Sequence, residues 1–397
     1  MPKNKVKSKR IKAVSQKRKL FRAKEPLISV FMWGINSTIN ELQHVNIPVM
    51  LMPDDFKAYN KIKIDRQYFN KDNMPSHFKV KEYCPLVFRN LRERFKVTDS
   101  QYMLSLTASE PIMKDVHDRQ GSNYYLTADK RFIIKTLTRE EVEQMHHILK
   151  HYHEYVVEHH CKTLLPQYFG IYRLTVEKQE SYVVVMRNVF SHPLRVHRKY
   201  DLKGSTVSRE ASERDKSKEI PTFKDNDFVS EGNKIYIGDQ HKAELMQILR
   251  RDVEFLSRNS LMDYSLLLGV HDADQGGNAS GHEEESEETG GETDSVNSDL
   301  SAPDSPNARE QENNDPNGTA SLFSRPVEVV SIASVETAPK KAIYFMAIVD
   351  ILTHYGMKKR TAQAAKTVKH GSNAEISTIP PESYGKRFLG FLENIII

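Results

Sequence analysis

Two apolar stretches, each carrying one acid at an end, constrain this chain more than anything else in it. The first is Asn259–Asp272, NSLMDYSLLLGVHD, in which Asp263 precedes a run of apolar residues. The second is Ala342–Asp350, AIYFMAIVD, which stays apolar until it closes on an acid. Asp263 and Asp350 are 87 residues apart, but the 69 residues Asp272–Lys340 are rich in Glu, Asp, Ser, Asn, Pro and Gly, the composition of a disordered insert. Eighteen residues remain without it, enough for two strands of about five or six residues and a short turn. The spacing therefore predicts a hairpin with both acids at one end. Carboxylates paired in that way suit phosphoryl transfer, one accepting a substrate hydroxyl proton and the other holding magnesium on ATP phosphates. One such Asp alone would mean only a strand ending at a turn.

With 397 residues, 38% hydrophobic and 28% charged, the chain has the composition of a soluble globular protein and the length for two lobes. No run approaches the ~18 apolar residues of a membrane span, and the N-terminus is basic without an apolar leader segment. Cys84 and Cys161 are the two cysteines, too few for a disulfide framework, which points to a reducing compartment. Between Asp272 and Gly318 fourteen acids face one Arg, so the net charge of +5 conceals +18 on the remainder. A folded part that basic implies a polyanionic partner: nucleic acid, an anionic membrane or phosphate-bearing substrates.

Met1–Lys24 holds eleven Lys or Arg and no acid, so residues 1–24 read as a disordered basic arm. Pro26–Ile47 reads as a strand followed by a short helix, and Pro75–Phe95 as carrying a helix with Tyr83, Val87, Phe88, Leu91 and Phe95 three or four apart. From Gly121 strands take over. Gly121-Ser122-Asn-Tyr-Tyr leads through a turn into Arg131-Phe-Ile-Ile-Lys135, and a lysine inside an apolar strand needs an anion to meet. Thr138-x-x-Glu141 is a capping box that opens a helix to about Val157. A strand lysine followed by an acidic helix is the kinase layout in which the lysine reaches ATP phosphates and a helix Glu holds it; Glu143 is the candidate, with Glu140 in reserve. The GSNYY turn has a single glycine, so as a phosphate loop it rests mainly on its position before Lys135.

A hairpin, Tyr168–Leu174 with Ser181–Met186, ends in Arg187-Asn188-Val189, where a two-lobed kinase keeps its hinge. The next stretch to Lys218 is basic and reads as a solvated loop around Tyr200-Asp-Leu-Lys-Gly-Ser-Thr, with Lys203 and Arg209 suited to a phosphorylated headgroup. His241–Arg258 is an amphipathic helix whose apolar stripe is broken by Asp252. Ser301 and Ser305 in the acidic insert are candidate phosphate acceptors. Gly356–Ala374, with five Lys or Arg and no acid, reads as a mobile loop touching anionic membrane, and Pro381–Ile397 as a closing amphipathic helix.

Lys135, YDLKGST, MDYSLL, AAKTVKHG and the strand ending at Asp350, in this order, resemble the phosphatidylinositol phosphate kinases from about Phe21 onward, the acidic insert excepted. The resemblance implies an α+β, two-lobed, kinase-like fold with an antiparallel sheet and helices in each lobe. It implies an N-terminal lobe of residues 25–186 with ATP-binding strands and a dimerisation region. A catalytic lobe of residues 187–397 would follow, interrupted by the 272–340 insert and holding an activation loop at 351–375. Lys135 then looks like the ATP-phosphate lysine, Asp263 like the catalytic acid and Asp350 like the magnesium ligand. Gly121, Ser122, Glu143, Arg187, Asn188 and Val189 complete the nucleotide site, and Lys203, Arg209, Ala362, Lys366 and Lys369 the lipid site. ATP and Mg2+ are the implied cofactors. A phosphoinositide, an anionic membrane surface and a second copy of the chain are the implied partners, at a cytoplasmic, peripheral location compatible with a nuclear pool.

In the loop after Asp350, 5-kinases of this family carry glutamate where 4-kinases carry alanine, and Ala362 stands there. The PVMLMPDDFKAY and PSHFKVKEYCP runs are similar to the same branch, which makes the expectation a type II enzyme acting on phosphatidylinositol 5-phosphate. Met186 stands where GTP-using members carry threonine, which implies preference for ATP. The alternatives are a low-activity phosphoinositide-binding scaffold and a 5-kinase acting on the 4-phosphate. Nucleic acid is not expected as a partner, since the basic arm offers only Phe21 for stacking. HRD, DFG and APE motifs are absent, which disfavours a protein kinase.

Overall fold

A computed structural model describes residues 23–65, 74–114, 121–190, 194–275, 330–356 and 379–397. The chain divides into two compact units. The first comprises Met1–Glu93, Val97–Arg139 and Tyr168–Met186, the second Arg94–Lys96, Glu140–Gln167 and Arg187–Ile397.

In the first unit, strands β1 (Tyr59–Ile64), β2 (Phe78–Tyr83), β3 (Ile112–Lys114), β4 (Tyr124–Leu126), β5 (Phe132–Leu137), β6 (Tyr168–Val176) and β7 (Gln179–Arg187) form a sheet of order β1-β2-β6-β7-β5-β4-β3. Its hairpins β6/β7 and β4/β5 are antiparallel, as are β1/β2, β2/β6 and β3/β4. Helices α1 (Pro26–Gln43), α2 (Pro85–Arg94) and α3 (Asp99–Thr107) accompany it. Two expectations are corrected here. Pro26–Gln43 is one helix, because Ile28, Phe31, Met32, Ile35, Ile39 and Leu42 keep helical spacing and are all buried behind a proline in the first turn. The contiguous Val-Phe-Met-Trp imitates a strand only because the first half of the helix is buried on several sides. The helix expected within Pro75–Phe95 is present as α2 but without Tyr83: Phe78, Val80 and Glu82 alternate inward in β2, which Tyr83 ends, and Cys84, at φ +47°, breaks the chain before α2 begins.

A fully buried polar cluster joins these elements. Arg92 donates to Phe169 O (2.9 Å) and Asp99 Oδ1 (3.1 Å), while the Tyr172 hydroxyl reaches Glu82 Oε1 at 3.2 Å and the Tyr102 hydroxyl at 3.2 Å. Burial, only partly offset by Arg92, pushes the Glu82 carboxyl up to about 7.

The second unit contains α4 (Arg139–Glu158, entering it from residue 140), β8 (Arg198–Leu202), α5 (Glu213–Lys216), β9 (Thr222–Lys224), α6 (Asp225–Ser230), α7 (Gly238–Arg258), β10 (Ser265–Asp272), β11 (Val330–Ala333), β12 (Ala342–Val349) and α8 (Pro381–Ile395). Its sheet has the order β11-β12-β10-β8-β9, antiparallel except for the β8/β9 pair. Three further expectations are corrected. The centre of the basic stretch is no loop: Tyr200 and Leu202 are buried and make Arg198–Leu202 an inner strand. Residues 330–340 do not belong to an unstructured insert, because Val330 and Ile332 turn inward and zip β11 onto β12. Residues 140–167, expected in the N-terminal lobe, belong with the second unit. The reason is Asp252, the acid that interrupts the apolar stripe of α7. Its carboxylate accepts from Tyr155 Oη (2.5 Å), Thr163 Oγ1 (2.7 Å) and Leu164 N (2.7 Å), tying α4 and the following turn to α7. Burial pushes this carboxyl up to about 6 against those three donors. Among the described residues no helix is long and apolar enough to cross a membrane.

Candidate active site

The register of β10 on β12 places the two acids. Ser265 pairs with Val349, and beyond that end an isolated bridge joins Leu261 to His354, with Met262 N donating to Thr353 O at 3.0 Å. Asp263 and Asp350 both lie between the end of the ladder and this bridge. They share a second property: each has left-handed backbone, at φ +65° and +58°. Outside glycine that conformation is uncommon, and aspartate is among the few residues that visit it readily. It breaks the extended backbone at both acids, just outside the β10/β12 ladder. Asp350 is exposed and Asp263 half-buried. From below, the Tyr384 hydroxyl of α8 donates to the carbonyl of Tyr264, whose ring packs edge-on against Tyr384 and Phe388, which fixes the backbone next to Asp263.

Lys203 follows β8 and reaches the first acid directly. Its ammonium donates to Asp263 O at 2.6 Å and to Asp263 Oδ1 at 2.9 Å. Arg209, expected beside it as a headgroup ligand, is buried and committed. Nε donates to Asp225 Oδ2 at 2.6 Å, and Nη2 to the backbone oxygen of Asp201 and to its Oδ1 (2.9 Å). Burial opposes the guanidinium charge, and the carboxylates of Asp201 and Asp225 outweigh it, raising its pKa. The sequence reading named Lys203 and Arg209 as headgroup ligands and passed over Asp201 and Asp225, which hold Arg209. The acids of Asp225-Asn-Asp227 before Phe228, which mark a helix start, were the available signal for Asp225.

Within the first unit the loop and the strand lysine are adjacent. Lys135 is buried and in register with Tyr124, whose ring centroid lies 5.4 Å from its Nζ. Asn123 exchanges two bonds with Thr136, next to that lysine: its N–H donates to Thr136 Oγ1 (2.8 Å), and its carbonyl accepts from Thr136 N (2.9 Å). Ser122 is buried, and Gly121 has φ +74° with open space where a Cβ would stand.

On α4, Glu143 and the reserve Glu140 are exposed, whereas Glu141 is buried. The inward acid of this helix is therefore Glu141, which the sequence reading assigned to a capping box. At the hinge position Arg187 is buried, donating to Gln167 Oε1 (3.0 Å) and Phe95 O (3.1 Å), and Asn188 Oδ1 accepts from Phe190 N (3.2 Å). The Phe190 ring lies on Gly269 of β10, where an added Cβ would stand 2.4 Å from it. Val189 is half-buried. Ala362, Lys366, Lys369, Ser301 and Ser305 lie outside the described residues, as do the arm up to residue 22 and most of the expected activation loop.

Two carboxylates at one sheet end, one of them exposed, fit a magnesium ion, which binds through one or two carboxylates plus substrate phosphates rather than an all-protein cage. The chain carries the residue types that phosphoryl transfer uses, the paired acids in the second unit and a buried strand lysine in the first. It belongs to the family described as phosphatidylinositol-4-phosphate 5-kinase, whose model matches residues 110–395. The chain is 56% identical to phosphatidylinositol 5-phosphate 4-kinase type-2 alpha of Mus musculus and of Homo sapiens, over 99% of this chain and 97% of each relative. It is 54% identical to the human type-2 beta protein, over 96% of this chain and 93% of that one. Membership of a kinase family implies use of ATP.

Proposed function

We propose that this protein transfers the γ-phosphate of ATP to the 4-hydroxyl of phosphatidylinositol 5-phosphate, giving phosphatidylinositol 4,5-bisphosphate at membrane surfaces. The observation that carries the reading is the pairing of Asp263 and Asp350 at one end of β10/β12, in a chain 56% identical to enzymes named for that activity. In this reading Asp263 accepts the proton of the attacking hydroxyl, Lys203 keeps its carboxylate oriented, and Asp350 holds magnesium. Lys135 neutralises phosphate charge, the 121–123 turn covers the phosphates, and Arg187–Val189 borders the adenine. Bound magnesium would supply charge neutralisation on the transferred group.

The exposed Val45, Ile47, Val49, Met50 and Met52 and the open edge strand β1 each support a homodimer, since exposed apolar side chains and an unpaired strand edge both favour self-association. The +18 outside the acidic segment supports docking on an anionic, cytoplasm-facing membrane.

A second reading, phosphorylation of the 4-phosphate at its 5-hydroxyl, is favoured by the description of the family model. Labelled Mg-ATP offered with the 3-, 4- and 5-monophosphates in separate vesicles decides, once the new phosphate is mapped. Preferred 4-phosphorylation of the 5-phosphate is expected, preference for the 4-phosphate selects the second reading, and binding without product overturns both in favour of a scaffold.

A further inference from the structure

We propose, resting on the kinase reading above, that Asp225 is a positioning residue that clasps the Lys203–Ser205 loop and thereby holds Lys203 on Asp263. Its Oδ1 accepts from three successive backbone N–H groups, those of Lys203 (2.8 Å), Gly204 (2.7 Å) and Ser205 (3.4 Å), while Oδ2 takes Arg209 Nε at 2.6 Å. Converging N–H groups of this kind form a concave anion site, and here the anion is part of the protein itself. Only an ionised carboxylate offers acceptors on both sides; an amide would turn its NH2 against either the loop or the guanidinium. Asp225 is 2% exposed, so the charge is buried and held by four donors.

The loop has no slack elsewhere. Gly204, at φ +64°, lies so close to α8 that a Cβ would stand 3.0–3.2 Å from Phe391 Cβ, Arg387 O and Phe388 Cα. Asn226, the next residue of α6, donates from its backbone to Arg209 O (2.9 Å) and from its side chain to Thr206 O (3.0 Å). Arg209 in turn grips Asp201, which is in register with Leu267 of β10. A continuous set of bonds thus runs from β10 through Asp201, Arg209 and Asp225 to the loop, and from Lys203 to Asp263 where the same strand begins. A cavity of about 230 Å³ borders this point, with Gly204, Ser205, Asp225, Asn226, Val229 and Phe391 among its lining residues.

The test uses the full chain with Mg-ATP and vesicles holding phosphatidylinositol 5-phosphate. Asp225→Asn is expected to lower kcat about tenfold or more while KM for ATP stays within about twofold, the signature of a lost transition-state contact rather than lost nucleotide binding. Acylation of Lys203 by an amine-reactive reagent, read by peptide mass spectrometry, should quicken as its pairing loosens, and formate should restore part of the activity of Asp225→Ala. Asp227→Asn is the control. Asp227 accepts from Ala211 N (2.8 Å) and Lys224 N (2.9 Å) in the same short helix but touches none of residues 203–205, so it should keep kcat near the wild-type value. Should loss of the buried carboxylate prevent folding, Gly204→Ala displaces the same loop with all charges kept and should give the same kinetic split. Wild-type kcat and unchanged Lys203 labelling in Asp225→Asn or Gly204→Ala would overturn the proposal, as would an equal loss in Asp227→Asn. Labelling needs no turnover: faster Lys203 acylation in a protein whose wild type makes no lipid product would sustain the clasp and remove the kinase reading instead.

Discussion

Replacing Glu82 with Gln tests whether burial or the neighbouring arginine governs the buried cluster of the first unit. Glu82 is fully buried, and its carboxyl is raised to about 7 from an ordinary 4.5. A folded-state value above the unfolded one means that the native unit binds the proton more tightly. Its stability contribution from this group is therefore full below pH 4.5 and fades as pH rises through 7, the reverse of a carboxylate held ionised by a cation. The whole difference corresponds to about 3 kcal/mol, of which about 2 kcal/mol falls between pH 5.5 and 8. Glutamine keeps an oxygen for the Tyr172 hydroxyl and leaves Arg92 on Phe169 O and Asp99, but it cannot titrate. Urea unfolding followed by Trp33 fluorescence isolates the effect. Trp33 is the sole tryptophan, lies in the first unit and meets Phe78 of β2 edge-on at 5.0 Å. The wild-type stability minus that of E82Q should fall by about 2 kcal/mol from pH 5.5 to 8, since other titrating groups cancel in the difference. A difference flat to within about 0.5 kcal/mol would show that Arg92 keeps Glu82 ionised throughout, and the argument from burial would fail.

Asp252→Asn should lower the stability of the second unit by about 2–4 kcal/mol, because the amide can serve Tyr155 and Thr163 only by turning its NH2 on Leu164 N–H. The loss, read from hydrogen exchange of α7 amides, should grow as pH falls through 6, where the wild-type carboxyl gains its proton. Gly269→Ala drives a methyl into the Phe190 ring next to the hinge position; it should cost about 1–3 kcal/mol and raise KM for ATP, with partial recovery in the double variant carrying Phe190→Leu. Asp350→Asn should abolish lipid product while vesicle binding persists, and unchanged product would mean that the metal ligand lies elsewhere.

The strands that carry Asp263 and Asp350 were legible because their signal is local: an unbroken apolar run with one acid at its edge survives the excision of a long polar insert. Lys135 was legible for the same reason, a charge out of place in an apolar strand. What stayed hidden depends on partners distant in sequence. Glu82 and Arg92 look like ordinary surface charges until β2, β6 and α3 bring their tyrosines and Asp99 together. Arg209 reads as a free cation because nothing nearby announces that Asp201 and Asp225 will enclose it. Glu143 was chosen with Glu140 in reserve, yet both are exposed, and Glu141, two residues from Glu143 and so on the opposite face of the helix, is the buried acid. β8 escaped because Arg198, Lys199 and Asp201 mask an alternation that buries only Tyr200 and Leu202.

The left-handed backbone at Asp263 and Asp350 bears on how substitutions there are to be read. Alanine carries a conformational penalty of about 1 kcal/mol in this region, since it has a Cβ but no side-chain polar group to compensate. An alanine scan would thus mix lost chemistry with a local rearrangement of two strand ends, and more so when both positions change together. Asparagine tolerates the conformation and removes only the charge, while glycine accepts it without strain and removes the whole side chain. The Asn and Gly variants bracket what the carboxylate itself contributes, and the further loss in Ala measures how far the bend in the chain is part of the machinery.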